Sequence, residues 1–242
     1  MVRARGGGFV ALGRWGLFGG AVGAGDGGSG CCGGAVSSVR VVARPEAHAG
    51  LYWSATMAAH IPYESRLELS RLLLADFDSE VTGLFAQPFR VSVTGAPGVE
   101  RQWIPDFCLV QADGSLTLVE VKPARRAAAP AVAERLDSFR GVVAGYGLRF
   151  EVLSEPDPVV WANVAFLAGF RRRNHFDSSV LDALLAAAGP DGVPLAVLES
   201  RLSPRWEPVT VRPHLLHLLW SGRIVADLSR PLAGATLVRG TL

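Results

Sequence analysis

Apolar side chains divide the chain into helix-like and strand-like stretches. Residues 63–76 carry leucines at helical spacing, and Pro62 stands where a helix can begin. Residues 101–111 alternate between apolar and polar side chains, which is typical of a β-strand. Further elements are predicted as strands at 81–93, 116–121 and 150–153 and as an Ala-rich helix at 127–146. This order predicts a mixed α/β sheet layered with helices.

Two turns separate the predicted strands. A Gly/Pro-rich turn is predicted at 95–98, after the strand-like residues 81–93. Residues 112–115 contain the pair Asp113-Gly114, which tolerates the positive φ angles of a tight hairpin. The strands on either side of this second turn are therefore expected to lie side by side.

A second domain is predicted from residue 156 to the C-terminus, because Pro156 and Pro158 interrupt the chain there. Helices are predicted in it at about 159–172, 178–188, 194–202 and 211–221. Two short apolar runs follow at 223–228 and 235–239. Several short helices before a β-hairpin are typical of a winged helix-turn-helix. The alternative is a small helical domain without a specific function.

Residues 1–50 differ from the rest in composition, because they contain fifteen of the 28 glycines. Such a segment buries too little side chain to offset its ordering entropy, so we expect disorder. A signal peptide is a weaker alternative because Arg14 and many glycines interrupt the apolar region; a start codon placed too far upstream is another. The predicted organisation is thus a disordered Gly/Ala-rich extension at 1–50, a first domain at 51–155 and a second at 156–242.

Charge and cysteine content narrow the class of protein. The net charge is only +2, so any positive surface for nucleic acid must be local. Cys31, Cys32 and Cys108 have no zinc-ligand spacing and suggest reduced thiols in a cytosol. No run of ~18 or more core-type apolar residues is present, so we expect a soluble cytoplasmic protein without a membrane span.

Two carboxylates and one ammonium are expected to meet on the predicted hairpin. Asp106 stands on the first strand, and Glu120 and Lys122 stand on the second. Side chains two residues apart on a strand point to the same face, so Glu120 and Lys122 project together. A hairpin can bring Asp106 beside them. The bland alternative is a solvated hairpin that carries a surface ion pair.

This set of groups suits metal-dependent phosphodiester hydrolysis. Carboxylate oxygens hold Mg²⁺, which polarises a phosphate and lowers the pKa of an attacking water. An ammonium stabilises charge that develops on the phosphate. Lys122 is the one lysine among 24 basic residues, which indicates a need for an ammonium at this position.

A third acid is expected from the preceding helix. Glu64 and Glu68 are four residues apart and share a helix face. Glu68 lies between Leu67 and Leu69, where a charge at the edge of a core needs a partner. We favour Glu68, and the alternative is a solvent-facing glutamate paired with a nearby arginine.

The chain resembles the TnsA-type endonuclease subunits of heteromeric transposases, which belong to the PD-(D/E)xK nuclease superfamily. The residues that carry the resemblance are Leu51-Tyr52-Trp53-Ser54, Tyr63-Glu64-Ser65-Arg66-Leu67-Glu68-Leu69, Asp76-Phe77-Asp78, Gln87-Pro88-Phe89, Ile104-Pro105-Asp106-Phe107 and Val119-Glu120-Val121-Lys122-Pro123-Ala124. The resemblance covers residues 51–155 well and the C-terminal part more weakly.

The resemblance implies a restriction-endonuclease-like mixed sheet with flanking helices and a small C-terminal winged-helix-like domain. It implies hydrolysis at the 5′ ends of a transposon by Glu68, Asp106, Glu120 and Lys122. Mg²⁺, for which Mn²⁺ could substitute, would bind Asp106, Glu120 and the backbone carbonyl of Val121, with Glu68 as a further candidate ligand. The best-known member carries glutamine at the position of Glu120, whereas the acid agrees with the wider superfamily.

The implied partners are double-stranded DNA of the transposon ends, a DDE-type transposase subunit and an AAA+ ATPase, and the implied location is cytoplasmic and nucleoid-associated. Arg171-Arg172-Arg173 could meet DNA phosphates or form a solvated helix end. The candidate recognition helix at 211–221 is mostly Leu and Trp, which read bases poorly. We therefore expect the second domain to bind protein. His60, His175, His214 and His217 form no convincing metal set.

Two other functions compete with the transposase nuclease. One is a stand-alone restriction-type or repair nuclease, which would cut DNA selectively as a single chain. The other is an assembly adaptor that keeps the fold but has lost cutting. The presence of Asp106, Glu120 and Lys122 together argues against the adaptor.

Overall fold

A computed structural model describes residues 2–3, 9–10, 35–40, 50–94 and 100–241. The turn predicted at 95–98 and most of the extension predicted to be disordered lie outside these residues. The chain forms two compact units. The first contains residues 1–71 and 80–155, and the second contains residues 72–79 and 156–242.

The elements up to residue 155 are β1 (Val2–Arg3), β2 (Phe9–Val10), β3 (Ala35–Arg40), β4 (Gly50–Ser54), β5 (Ala59–Tyr63), α1 (Arg66–Phe77), β6 (Val81–Ala86), β7 (Arg90–Thr94), β8 (Glu100–Trp103), β9 (Phe107–Gln111), β10 (Leu116–Val121), α2 (Ala124–Ala127), α3 (Pro130–Ala144) and β11 (Arg149–Leu153). The elements that follow are α4 (Pro158–Leu167), α5 (Ser178–Ala188), β12 (Val193–Pro194), α6 (Leu195–Leu202), α7 (Pro208–Trp220), β13 (Ile224–Ala226) and β14 (Leu237–Gly240).

A four-stranded mixed sheet, in the order β11-β10-β9-β6, forms the centre of the first unit. Strands β10 and β11 are parallel, whereas β9 is antiparallel to both β10 and β6. The predicted hairpin joins β9 to β10, and Gly114 adopts a φ of 78° in its turn. The mixed α/β architecture predicted from the hydrophobic pattern is confirmed.

Helix α3 covers one face of this sheet. Leu136, Phe139 and Val143 follow one another at helical spacing and are buried against Leu116 and Leu118 of β10. The even-numbered residues of β10 therefore face α3, because side chains alternate along a strand. Glu120 and Lys122 continue this set.

The prediction of one strand over residues 101–111 was wrong. The chain leaves β8 at Trp103 and enters β9 at Phe107, and the two strands belong to different sheets, because β8 pairs with β7 in a sheet of the order β3-β7-β8. Pro105 lies in the interval and has no N–H to donate to a ladder. The break leaves Asp106 immediately before β9.

Two other predictions need correction. The helix predicted at 127–146 corresponds to α3, which begins later, at Pro130, because a proline is tolerated in the first turn of a helix; the short helix α2 precedes it. Within the extension predicted to be disordered, Ala35–Arg40 forms strand β3, which pairs with β7. Its β-branched valines suit an extended backbone.

The second unit has the element order α4, α5, β12, α6, α7, β13, β14, with a small antiparallel sheet in the order β12-β14-β13. Asp157 and Asp177 cap α4 and α5 by accepting hydrogen bonds from backbone N–H groups. The helix predicted at 159–172 ends earlier, at Leu167, and continues as a 3₁₀ turn. The second apolar run predicted near the C-terminus forms β14, which pairs with β13 as expected for a hairpin.

A buried asparagine fixes the segment between β13 and β14. Asn163 on α4 donates from Nδ2 to the carbonyls of Leu228 and Arg230, at 2.9 and 2.8 Å, and its Oδ1 accepts from the Leu232 N–H at 3.0 Å. One side chain thus satisfies three backbone groups of a segment without regular structure. Such groups are costly when they lose their partner.

Replacing Asn163 by alanine is expected to lower the free energy of unfolding by about 2–4 kcal/mol, because three backbone groups lose their partner. Thermal and urea unfolding would measure the change. Ser229→Ala, at an exposed position in the same segment, should shift stability by less than about 1 kcal/mol. A loss as small in Asn163→Ala as in this control would contradict the assigned role.

Candidate active site

Asp106 is held beside strand β10 by the backbone. Its Oδ2 accepts a hydrogen bond from the Val121 N–H at 2.6 Å, and its own carbonyl accepts from the Gln87 N–H at 2.9 Å. Its Oδ1 accepts no hydrogen bond from the described part of the chain. The carboxyl group is therefore fixed in place with one oxygen left for another ligand.

Glu120 is buried, with 4% of its surface exposed. Its Oε2 accepts from Trp103 Nε1 at 2.7 Å, and its Oε1 forms an ion pair with Lys122 Nζ. The Trp103 ring packs against Phe139 and Phe150 in the core. The hydrophobic core thus orients the tryptophan, and the tryptophan orients the carboxylate.

Contacts at the end of β10 bring the acids and the lysine together, because Asp106 accepts from the Val121 N–H and Glu120 pairs with Lys122. Leu118 of β10 lies opposite Cys108 of β9, and opposed residues of antiparallel strands share a face. Continuing this register by two residues brings Glu120 opposite Asp106, and Lys122 follows Glu120 on the same face. The three residues predicted to act together are therefore gathered at one end of the hairpin.

The electrostatics of Asp106 reflect this crowding. Burial and the neighbouring Glu120 carboxylate raise its pKa to about 7, and the charge of Glu68 adds to the rise. The hydrogen bond from the Val121 N–H and the positive charge of Lys122 act in the other direction and lower this pKa. One nearby ammonium thus does not compensate two buried carboxylates. A cation bound to them would remove this imbalance.

Glu68 has a structural role at the start of helix α1, and this role is separate from its predicted catalytic one. It accepts at Oε2 from the Glu64 N–H and at Oε1 from the Ser65 hydroxyl, while Ser65 Oγ accepts from the Glu68 N–H. This is a variant of the capping box, which satisfies free N–H groups at the start of a helix. The Ser-x-x-Glu pattern of residues 65–68 was present in the sequence and could have predicted it. Glu68 nevertheless lies close enough for its charge to act on Asp106.

The backbone carbonyl of Val121 has the direction that a metal ligand would need. The N–H and C=O of one residue in a strand point to the same side, and the Val121 N–H points at Asp106. The Lys122 N–H points the other way and donates to the Leu153 carbonyl of β11 at 2.9 Å. The Val121 carbonyl is therefore directed toward the side on which Asp106 lies.

The donor atoms suit a hard cation that keeps water ligands. Within residues 50–94 and 100–241, no group of three or more His, Cys, Asp or Glu side chains is placed to hold a metal ion. Two carboxylates and a backbone carbonyl remain as the candidate ligands: Asp106, Glu120 and Val121. Mg²⁺ is commonly bound through one or two carboxylates with several waters, so this oxygen set fits it.

Two residues near the site were missed by the sequence analysis. Trp103 was treated only as a strand residue, yet it donates to Glu120. Arg71 on α1 donates from Nε to the Ser154 carbonyl at 2.6 Å, just beyond the end of β11. Both contacts join residues distant in the sequence, and no local pattern indicates them.

Two histidines of the second unit, His214 and His217, bond to the backbone. His214 and His217 are buried on α7; a ring nitrogen of His214 lies 2.7 Å from the Thr210 carbonyl, and one of His217 lies 2.7 Å from the Phe170 carbonyl. His214 Nε2 also accepts from the Asp177 N–H at 2.9 Å. Burial lowers the pKa of His217. Hydrogen bonds to the backbone account for the position of both rings.

No protein-family model matches the sequence, and no curated protein matches it. Among the helices described here, none is long and apolar enough to cross a membrane.

Proposed function

We propose that this chain is a Mg²⁺-dependent DNA endonuclease. The observation that carries the proposal is the meeting of Asp106, Glu120 and the single lysine of the sequence at one end of the hairpin. The raised pKa of Asp106 supports it, because a cation would relieve the repulsion between the two carboxylates.

The residues of the site would divide the chemistry among them. Asp106, Glu120 and the Val121 carbonyl would hold the metal, which polarises the phosphodiester and lowers the pKa of a bound water. The Val121 N–H and the Trp103 indole keep the two carboxylates in position. Lys122 would exchange part of its contact with Glu120 for the scissile phosphate and stabilise the charge that develops there.

The fuller form of the proposal is a restriction-endonuclease-like nuclease subunit that hydrolyses the 5′ ends of a transposon. In that form it acts in the cytoplasm, at the nucleoid, with a DDE-type transposase subunit and an AAA+ ATPase. The support is the resemblance carried by the motifs around Glu68, Asp106 and Lys122. This assignment remains a prediction.

For the second unit we propose a winged helix that binds protein. The order of α5, β12, α6, α7, β13 and β14 supports the winged helix. The exposed side of α7 supports protein binding, because it carries Val209, 74% exposed, beside Arg212 and an open apolar cavity of about 390 Å³. An apolar helix face of this kind reads DNA bases poorly.

An inactive assembly adaptor is the second candidate. Both oxygens of Glu120 have protein partners, and Glu68 caps a helix, so these residues also make sense as structural groups. A cleavage assay separates the two candidates.

The wild-type chain is expected to nick supercoiled plasmid DNA in Mg²⁺ or Mn²⁺ and not in EDTA. Asp106→Asn should reduce the rate by at least about 100-fold, because the amide keeps an acceptor for the Val121 N–H but loses the charge that binds the metal. Glu151→Gln, an exposed position on neighbouring β11, is the matched control and should cleave like the wild type. Thermal melts check that both variants fold.

Equal nicking by Asp106→Asn, or no nicking by the wild type with either ion, would reject the nuclease and favour the adaptor. Selective cleavage at a defined sequence by the single chain would instead favour a stand-alone restriction-type or repair nuclease.

A further inference from the structure

Arg71 is a half-buried arginine, and within the part of the chain that the structure describes the terminal nitrogens of its guanidinium donate no hydrogen bond. Its Nε donates to the Ser154 carbonyl at 2.6 Å, which fixes the plane of the guanidinium. Within the described residues, its Nη atoms donate no hydrogen bond and no carboxylate lies within ion-pair distance. Burial lowers the pKa of Arg71, and Glu155 partly offsets this effect. The guanidinium therefore bears a desolvation cost, and no described residue lies close enough to form an ion pair with it.

A structural ion pair does not account for this arginine. Glu155 acts electrostatically on Arg71, but its carboxylate is exposed and accepts a hydrogen bond from the Ala124 N–H at 2.9 Å, at the start of α2. The contact that Arg71 does make, to a neutral carbonyl, needs only one of its five N–H donors. The other donors form the planar fork that binds phosphate and carboxylate in pairs.

The position of Arg71 links it to the candidate active site from two sides. On α1 it lies three residues after Glu68, so the two side chains share a helix face. Ser154, which it contacts, follows Leu153, whose carbonyl accepts from the Lys122 N–H at 2.9 Å. The arginine is thus attached to the same end of the sheet as Lys122. Exposed Arg125 and Arg126 on α2 add positive charge shortly after Lys122 in the chain.

We propose that Arg71 binds a phosphate of the DNA backbone next to the scissile phosphate and positions the strand for cleavage. This inference rests on the proposed nuclease function. The Nη atoms of Arg71 would donate to the two non-bridging oxygens of one phosphate. Lys122 acts at the scissile phosphate. Arg71 binds the adjacent phosphate and so sets the register of the DNA strand.

The most informative variant is Arg71→Gln. The Gln Nε2 atom occupies the same place along the side chain as the Arg Nε, so it can still donate to the Ser154 carbonyl while the charged fork is lost. Its kcat/KM for a duplex with a mapped nick site is expected to fall about 10- to 100-fold, as for loss of a charged hydrogen-bonded contact. Arg66→Met removes an exposed arginine from the first position of α1 and should leave cleavage unchanged.

Methylphosphonate substitution identifies the phosphate. A neutral methylphosphonate placed at each position around the nick should slow the wild type at one flanking position, about as much as Arg71→Gln does. At that position Arg71→Gln should show no further loss, because its partner is already absent. The same penalty in both proteins at every position would overturn the inference.

DNA binding in Ca²⁺, without cleavage, tests Arg71 separately from catalysis. The slope of log K against log[salt] should decrease by about 0.9 in Arg71→Gln and not in Arg66→Met. A wild type that binds DNA but never cuts it would reject the nuclease, and this slope would still decide the role of Arg71. An unchanged slope together with unchanged methylphosphonate penalties would reject the inference while the nuclease stands.

Discussion

Lys122→Arg is expected to slow Mg²⁺-dependent strand cleavage by about 100-fold or more while the protein stays folded. The guanidinium keeps the positive charge beside Glu120, so the buried ion pair survives. It is larger than an ammonium, and its fork favours a paired contact with the Glu120 carboxylate. Little of its charge would then reach the phosphate.

This variant separates two roles for the lysine. If Lys122 serves only as the counter-ion of Glu120, arginine should replace it with little loss of cleavage. If Lys122 acts on the phosphate, arginine should fail. Single-turnover rates, measured beside circular dichroism and thermal melts, give the answer. Arg135→Lys, at an exposed position on α3, is the matched control and should cleave normally.

Lys122→Met is expected to fail for a second reason. It leaves the Glu120 carboxylate buried with only the Trp103 N–H as a partner. Removing one partner of a buried pair typically costs about 3–5 kcal/mol, so this variant should also be less stable. A rate near that of the wild type in Lys122→Arg would contradict the phosphate role, whatever the methionine variant does.

Asp106→Asn is expected to be more stable than the wild type at pH 8 in EDTA. The folded pKa of Asp106 is raised to about 7, whereas an unfolded aspartate titrates near about 3.9. The folded wild type therefore loses stability as the pH rises from about 4 to about 7, and the asparagine variant lacks this loss. A difference of about three pKa units between the folded and unfolded states lowers the free energy of unfolding by at most about 4 kcal/mol, or Tm by on the order of 10 °C.

The difference in the free energy of unfolding between the wild type and Asp106→Asn should vanish near pH 4. At this pH Asp106 is neutral in the folded state and only begins to ionise in the unfolded one. Urea unfolding of both proteins between pH 4 and pH 8 measures it. Asp113→Asn, at an exposed position in the adjoining hairpin turn, is the control and should show no gain at pH 8. A wild type as stable as Asp106→Asn at pH 8 would show that folding does not raise the pKa of the Asp106 carboxyl group.

Mg²⁺ should reverse the order of stability at pH 8. A ligand that binds only the folded state at 100 times its Kd adds about 2.7 kcal/mol, and the wild type should gain this amount. Asp106→Asn, which lacks a charged ligand, should gain far less. Equal gains in both proteins would place the bound ion elsewhere and count against Asp106 as a ligand, independently of any cleavage assay.

The sequence alone determined the elements of the site that depend on local geometry. The two-residue spacing of Glu120 and Lys122 places them on one face of any strand, and the Asp113-Gly114 turn brings the Asp106 strand alongside. Leucine periodicity likewise located α1, and the Asp capping residues lie at the helix starts. These features require only neighbours along the chain.

The tertiary structure decided what surrounds those residues. The chain breaks at Pro105 because β8 and β9 belong to separate sheets, and this break leaves the Asp106 carboxylate against the Val121 N–H. The contacts of Trp103 with Glu120 and of Arg71 with Ser154 join residues 17 and 83 positions apart. Periodicity along a strand or helix specifies which face a residue occupies. It does not specify which distant side chain meets it, because that depends on how sheets and helices pack, and this packing also sets the burial that shifts the Asp106 pKa.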